Sequence, residues 1–569
     1  MNRFRYSIHI IILILINVIA SFLYFRLDLT QENKHSIDDA TKELLSQVDD
    51  ILYIKVYLDG DFPAGFEQLK NASYNLLEEF SDYSDFIEFK FINPSDRDEA
   101  SKNKLYKQLI DQGLKPTNLE IRQKDGTSQK IIFPGAVINY KNKNTSLNLL
   151  LNQFGARPEI SLNNSIENLE FEFSKSIFKL INNRSKKIAF LSGNGQLDDP
   201  YLSDINNSLG TTRNSLSEFF SVEFFNLKEY ELDENNNPNL NKQLAKIQEF
   251  DALIIAKPTI PFNELDKFVL DQYVMNNGKV LWLIDGVAMD MDSLKTTSSY
   301  STALPLSLNL DDIMFKFGIR INSDLIMDMQ SDQIPIVVGQ NGDTPQRKLF
   351  PWVYNPLFIA KLKHPIVKNL DAIKSSFVST IDTVKSLGIR KTPLLFCSPY
   401  SKVVKSPHRV SLNILNSEPN IKGFQTKDKI SAILLEGKFN SVFENRLTPT
   451  SSIKYNNISG ENKMIVISDG DIIKNHVNSN GLSYPLGYNH FNKSQYNGNK
   501  DFIINCMHFL LGNEDLININ SKQYTIRLLD RNKIVDDKLK WQLINFLLPL
   551  IIISLLYFSL SFIRKKKYQ

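Results

Sequence analysis

The chain has 569 residues, 66 Lys plus Arg against 63 Asp plus Glu, and 42% apolar residues. That is enough for packed cores, and the charge is too near balance for nucleic acid to be the main partner. Cys397 and Cys506, the two cysteines, cannot build a disulfide framework or a structural zinc site. A mean hydropathy of −0.23 excludes a polytopic membrane protein, and at roughly 100–200 residues per domain the length argues for three or four domains.

Residues 1–7 carry Arg3 and Arg5, and 8–25 read IHIIILILINVIASFLYF. As a helix this segment reaches about 27 Å, just enough to span a bilayer. A cleaved signal peptide is the alternative reading, since a short basic region before an apolar stretch fits both, although no small-x-small site stands out after it. Residues 26–50 read as a stalk with a short amphipathic helix for which Thr30, Ser36 or Asp38 supplies the cap.

Residues 51–184 alternate between the two periods of regular structure. A buried strand (ILYIKVYL) is followed by an amphipathic helix (FEQLKNASYNLLEEFSDYS), an alternating strand (DFIEFKFIN) and a second helix (RDEASKNKLYKQLIDQG). Strands in IIFPGAVINY and KNTSLNLLL and a helix at about 166–181 complete the domain. The order resembles a thioredoxin-like arrangement, and the lack of a CxxC pair excludes thiol redox chemistry.

Residues 185–520 open with KKIAFLSGNGQ and continue with a helix in LSDINNSLGTTRNSLSEFF and the strands SVEFFNL, FDALIIAKP and KVLWLIDG. Continuous apolar strands alternating with helices imply a parallel, flavodoxin-like sheet covered on both faces. The stretch at about 325–443 holds short β-like runs broken by Pro and Gly, including IPIVVG, RVSLNIL and ISAILLEG, and reads as a β-rich insertion. The α/β pattern returns at NKMIVISDGDII and in the helix NKDFIINCMHFLLG. A basic juxtamembrane segment (521–541) then leads to a second apolar span (542–563) containing Pro549, and RKKK lies in the tail (564–569). Positive clusters outside both spans predict two cytoplasmic termini, with everything between them on the far side.

The motif scan is mostly negative. There is no GxxxxGK[ST], because Phe439 follows Gly437 and Lys438, and there is no HExxH or GxSxG. His476 and His490 lie in a loop without metal-ligand spacing, so neither metal nor cofactor is expected. What recurs is an acidic or amide turn at the end of strands: Asp59 and Asp61 in LDGD, Asn194 and Gln196 in SGNGQ, Asp285 in IDG, and Asp469 and Asp471 in SDGD. In open α/β sheets ligands bind outside the carboxyl ends of strands, which makes these residues the rim of a candidate cleft. The same residue types also simply make good turns.

Several long blocks carry a further likeness. VYLDGDFPAGFEQLKNA, ILLEGKFNSVFENR, SDGDIIKN with PLGYNHF and NGNKDFIIN, and RLLDRNKI before WQLINFLLPL resemble the gliding-motility family GldG of the Bacteroidetes. The resemblance implies a non-catalytic auxiliary, substrate-binding-like subunit of an ABC-type transporter in the inner membrane. Its expected partners are a separate permease and a separate ATPase, in gliding and the linked protein-secretion machinery. It also implies an amidotransferase-like middle region, but Asp285 and Gly286 stand where that fold would place its cysteine. An envelope hydrolase or amidase working through the acidic turns, and a cell-wall-binding anchor, remain alternatives.

Overall fold

The computed structural model describes residues 37–520, apart from short segments at 97, 124–125, 152–157, 182–185, 207–214, 235, 295–299, 342–343, 360–361, 363, 369, 417–420 and 450–454, and residues 538–568. The expected first span, the stalk up to residue 36 and the juxtamembrane stretch up to 537 lie outside the described residues. The chain divides into two units, Met1–Lys522 and Gln523–Gln569.

The first unit begins with α1 (Asp39–Ser46), capped by Asp38, whose carboxylate accepts from the Ala40 N–H at 3.0 Å. Strands β1 (Leu52–Val56), β2 (Ile87–Phe91), β3 (Gly135–Tyr140) and β4 (Lys143–Asn148) form a sheet in the order β2-β1-β3-β4. β2 runs parallel to β1, while β3 is antiparallel to both β1 and β4. Helix α2 (Ala64–Tyr83) supplies the crossover that a parallel pair requires. It buries Phe66, Leu69, Leu77 and Phe80 at helical spacing, so one stripe faces the sheet.

The helix expected at 166–181 is split into Pro158–Glu167 and α3 (Leu169–Ile181). Phe173 on α3 meets Phe80 edge-on at 6.5 Å. Buried Glu170 accepts from the Asp38 N–H at 2.6 Å and the Thr41 hydroxyl at 2.8 Å, so α3 holds the start of α1. A hairpin of Thr117–Gln123 and Gly126–Ile132 forms a two-stranded sheet of its own.

The larger sheet has nine strands. Its parallel part comprises β5 (Lys187–Ser192), β6 (Ser221–Asn226), β7 (Ala252–Ala256), β8 (Lys279–Leu283) and, after β9 (Ile430–Asn440), β10 (Ile458–Ile467), side by side as β6-β5-β7-β8-β10. Alternate residues feed two cores. Ile188, Phe190, Leu281, Leu283, Ile465 and Ile467 pack on one face, and Ala189, Leu191, Val280, Trp282, Met464 and Val466 on the other. Helix α4 (Glu264–Met275) covers the second face and α5 (Gly498–Leu510) the first. A strand buried on both sides has no polar face, which is why these runs show no alternation in sequence.

β9 falls within the stretch read as an insertion, yet it pairs antiparallel with β10 across most of its length. Five consecutive buried residues, Ser431–Leu435, explain the placement, because such a run must be covered on both faces. Of the helix expected between 202 and 220, the described residues contain only Ser203–Asn206 and Leu216–Phe219.

The second unit contains α6 (Lys538–Tyr568), 31 residues with Pro549 inside. Among the described residues, Lys540–Arg564 is the one helical segment long and apolar enough to cross a membrane.

Candidate functional site

Because β5, β7, β8 and β10 are parallel neighbours, their carboxyl ends share one edge of the sheet. Asn194 and Gln196 follow β5, Lys257 follows β7, Asp285 follows β8, and Asp469 and Asp471 follow β10. Five of the seven residues singled out in the sequence are thus gathered there. Asp59 and Asp61 follow β1 in the other sheet, where Asp59 pairs with Lys70 at 2.8 Å.

The gathered residues form two neighbouring groups. In the first, the ammonium of Lys257 lies 2.5 Å from Asp471 Oδ2 and 3.2 Å from Asp285 Oδ2. Asp285 Oδ1 accepts from the Gly470 N–H at 2.6 Å, and Asp469 accepts from the Asp471 and Ser376 N–H groups at 2.7 and 2.9 Å. Three strand ends are thereby laced together around one buried cation. Burial opposes the charge of Lys257, but Asp471 and Asp285 outweigh it and hold the ammonium above its ordinary value. Burial pushes the Asp469 carboxyl well up, and the charges of Asp471 and Asp285 push it further. Burial also raises Asp285, against the pull of Lys257.

Two local constraints shape this group. Lys257 has φ +53°, a left-handed conformation that a lysine rarely adopts and that costs on the order of 1–3 kcal/mol. Gly470 passes so close to it that a Cβ would lie 2.5 Å from Lys257 Cβ and Cγ. An ammonium clasped by two carboxylates is not an available amine nucleophile. Among the described residues no group of three or more His, Cys, Asp or Glu side chains has the geometry of a metal site.

In the second group, Asn194 is fully buried and its backbone carbonyl accepts from the Thr259 and Ile260 N–H groups, each at 3.0 Å. Its side-chain amide donates to the Pro261 carbonyl at 3.2 Å and to Asp266 at 3.4 Å. Asp266 belongs to the capping box that starts α4 with Asn263, and it also pairs with Lys228. The SGNGQ turn therefore locks the start of α4, a structural duty.

Asp285 also faces a cavity of about 880 Å³, whose wall includes Gly286, Asn322, Asp324, Thr380 and Lys429. A Cβ on Gly286 would lie 2.4 Å from the Asn322 carbonyl, so glycine permits the close approach of the two segments. Asp324 is buried and accepts from the Thr380 N–H at 2.8 Å and its hydroxyl at 2.7 Å. The volume lies within the range of small-molecule sites.

Lys257 and the far wall of the cavity were not found from the sequence. A cation ending the apolar run FDALIIAKP was the available signal for Lys257. The wall, drawn from segments near 310–324, 380–382 and 403–406, left none.

A family model for ABC-transporter auxiliary proteins, described as an ABC-type uncharacterized transport system, matches residues 185–506, more than half of the chain. The chain belongs to this family. The matched region contains the large sheet, the Lys257 cluster and the cavity. Residues 31–139 match a domain of unknown function. An uncharacterized protein of Borreliella burgdorferi is 24% identical over 576 residues, covering 99% of this chain and 97% of its own. Among solved structures, the mmIFT52 N-terminal domain is matched over 60% of this chain and 100% of that chain, at 12% identity and a TM-score of 0.30. That score carries no argument about fold.

Proposed function

We propose that this chain is a non-catalytic, membrane-anchored auxiliary subunit of an ABC-type transport complex, working with a separate permease and a separate ATPase. The family match over residues 185–506 is the observation that carries the reading. The missing phosphate-binding loop supports an ATPase on another chain. The clasped ammonium at the strand ends supports an adaptor rather than a hydrolase, because the charged groups that would do chemistry neutralise each other.

The proposal includes a two-pass topology in the inner membrane, with both termini cytoplasmic and the bulk of the chain periplasmic. It rests on α6, the apolar segment at 8–25 and the flanking basic residues. The resemblance of several sequence blocks to the gliding-motility family supports a role in gliding and linked protein secretion. Affinity isolation of the full chain from native membranes in mild detergent tests the reading. A permease and an ATPase of the ABC type are expected to co-purify, and their absence from every preparation would refute it.

A further inference from the structure

The cavity beside Asp285 is lined both by exposed charged residues and by buried apolar ones. Arg320 and Lys405 line it and are exposed. Neither forms an ion pair with any described residue. Asp382 faces Arg320 across the antiparallel strand pair, but its Oδ2 accepts from the Asn322 amide at 2.9 Å instead. Half-buried Lys429 is a third cation on the wall.

Leu308, Leu310 and Met314 also line the cavity and are only 4%, 4% and 3% exposed, while Phe315 at the margin is 60% exposed. The deep carboxylates are already occupied, Asp285 by Lys257 and Asp324 by Thr380. Arg320 and Lys405 are thus exposed cations outside any ion pair among the described residues, the exposed carboxylate Asp311 lies on the same lining, and the apolar residues Leu308, Leu310 and Met314 are buried.

We propose that this cavity binds an anionic amphiphile: a carboxylate or phosphate head held by Arg320, Lys405 and Lys429, with an apolar body against Leu308, Leu310, Met314 and Phe315. The guanidinium offers a planar fork that matches either oxyanion, and the lysines add point charges. A cavity of about 880 Å³ accommodates a ligand of this class. The inference does not rest on the transporter reading, since it uses only the residues around the cavity.

The test is titration calorimetry of the full chain in lipid nanodiscs, with empty nanodiscs subtracted. The probes are octanoate, hexyl phosphate, inorganic phosphate and hexanol. Saturable binding of octanoate, hexyl phosphate or both is expected, and which of them binds identifies the head group. The double variant Arg320→Ala/Lys405→Ala should weaken binding by about tenfold or more, the scale of losing charge-assisted hydrogen bonds. Lys402→Ala, an exposed lysine on the Ser401–Lys405 strand outside the cavity lining, should leave binding unchanged.

Both replaced side chains of the double variant are exposed, and an unaltered thermal melt checks that its fold is intact. The proposal is overturned if neither amphiphile binds, or if the double variant binds normally. It is overturned equally if Lys402→Ala loses as much, or if inorganic phosphate or hexanol binds as tightly as its amphiphilic counterpart.

Discussion

At the scale of single residues, the Lys257 cluster sets the strongest expectation. The ammonium of Lys257 pairs with Asp285 and Asp471, so Lys257→Met leaves buried Asp285 with no cation beside it and Asp471 with only Lys474, 4.0 Å away. The expected cost is about 3–5 kcal/mol, read from urea unfolding. Asp469 adds a pH dependence. Its folded value lies above the ordinary 3.8, so the native state keeps a proton that the unfolded chain has lost. Its contribution is therefore full below the unfolded value and is lost as pH rises through the folded one. Accordingly, the unfolding midpoint of the wild type relative to Asp469→Asn should fall as pH rises above 3.8, and a constant difference would contradict this. Asp285, Asp469 and Asp471 were legible because an acidic Gly turn after an apolar run marks the end of a strand. Lys257 was not, since a lone lysine there reads equally well as a solvated charge, and only the pairing of β7, β8 and β10 puts three carboxylates around it.

At the scale of elements, the parallel strands could be read directly. KVLWL, ALIIA and KIAFLS are continuous apolar runs bounded by turns, and each is a strand with its expected core residues buried. β9 was placed in an insertion because Pro and Gly interrupt its surroundings, whereas its position is decided by non-local pairing with β10. The turn after β10 shows how tightly the strand ends are packed. Gly470→Ala would put a methyl 2.5 Å from Lys257 Cβ at a φ of −79° that alanine tolerates. The cost then comes from overpacking, about 1–3 kcal/mol in urea unfolding. Asn263→Ala removes the side chain that caps α4 and is expected to cost about 1 kcal/mol in the same measurement.

At the scale of the molecule, hydropathy marked the apolar segment at 542–563, where the helix Lys540–Arg564 is long and apolar enough to cross a membrane, and the sequence likeness pointed to an ABC-transporter auxiliary protein, the family that is matched, while the cavity depended on a topology that no local pattern encodes. If both apolar segments cross the membrane, reporter fusions after Tyr24 and after Gln569 will report opposite compartments, and agreement between them would overturn the two-span arrangement. The central claim is that this chain works as a subunit of an ABC-type complex. In native membranes, a photoreactive residue placed along the exposed apolar surface of α6, at Phe558 or Phe562, tests it in place. A crosslinked adduct with an ABC permease is predicted; adducts that never contain such a subunit, at either position, would contradict the account.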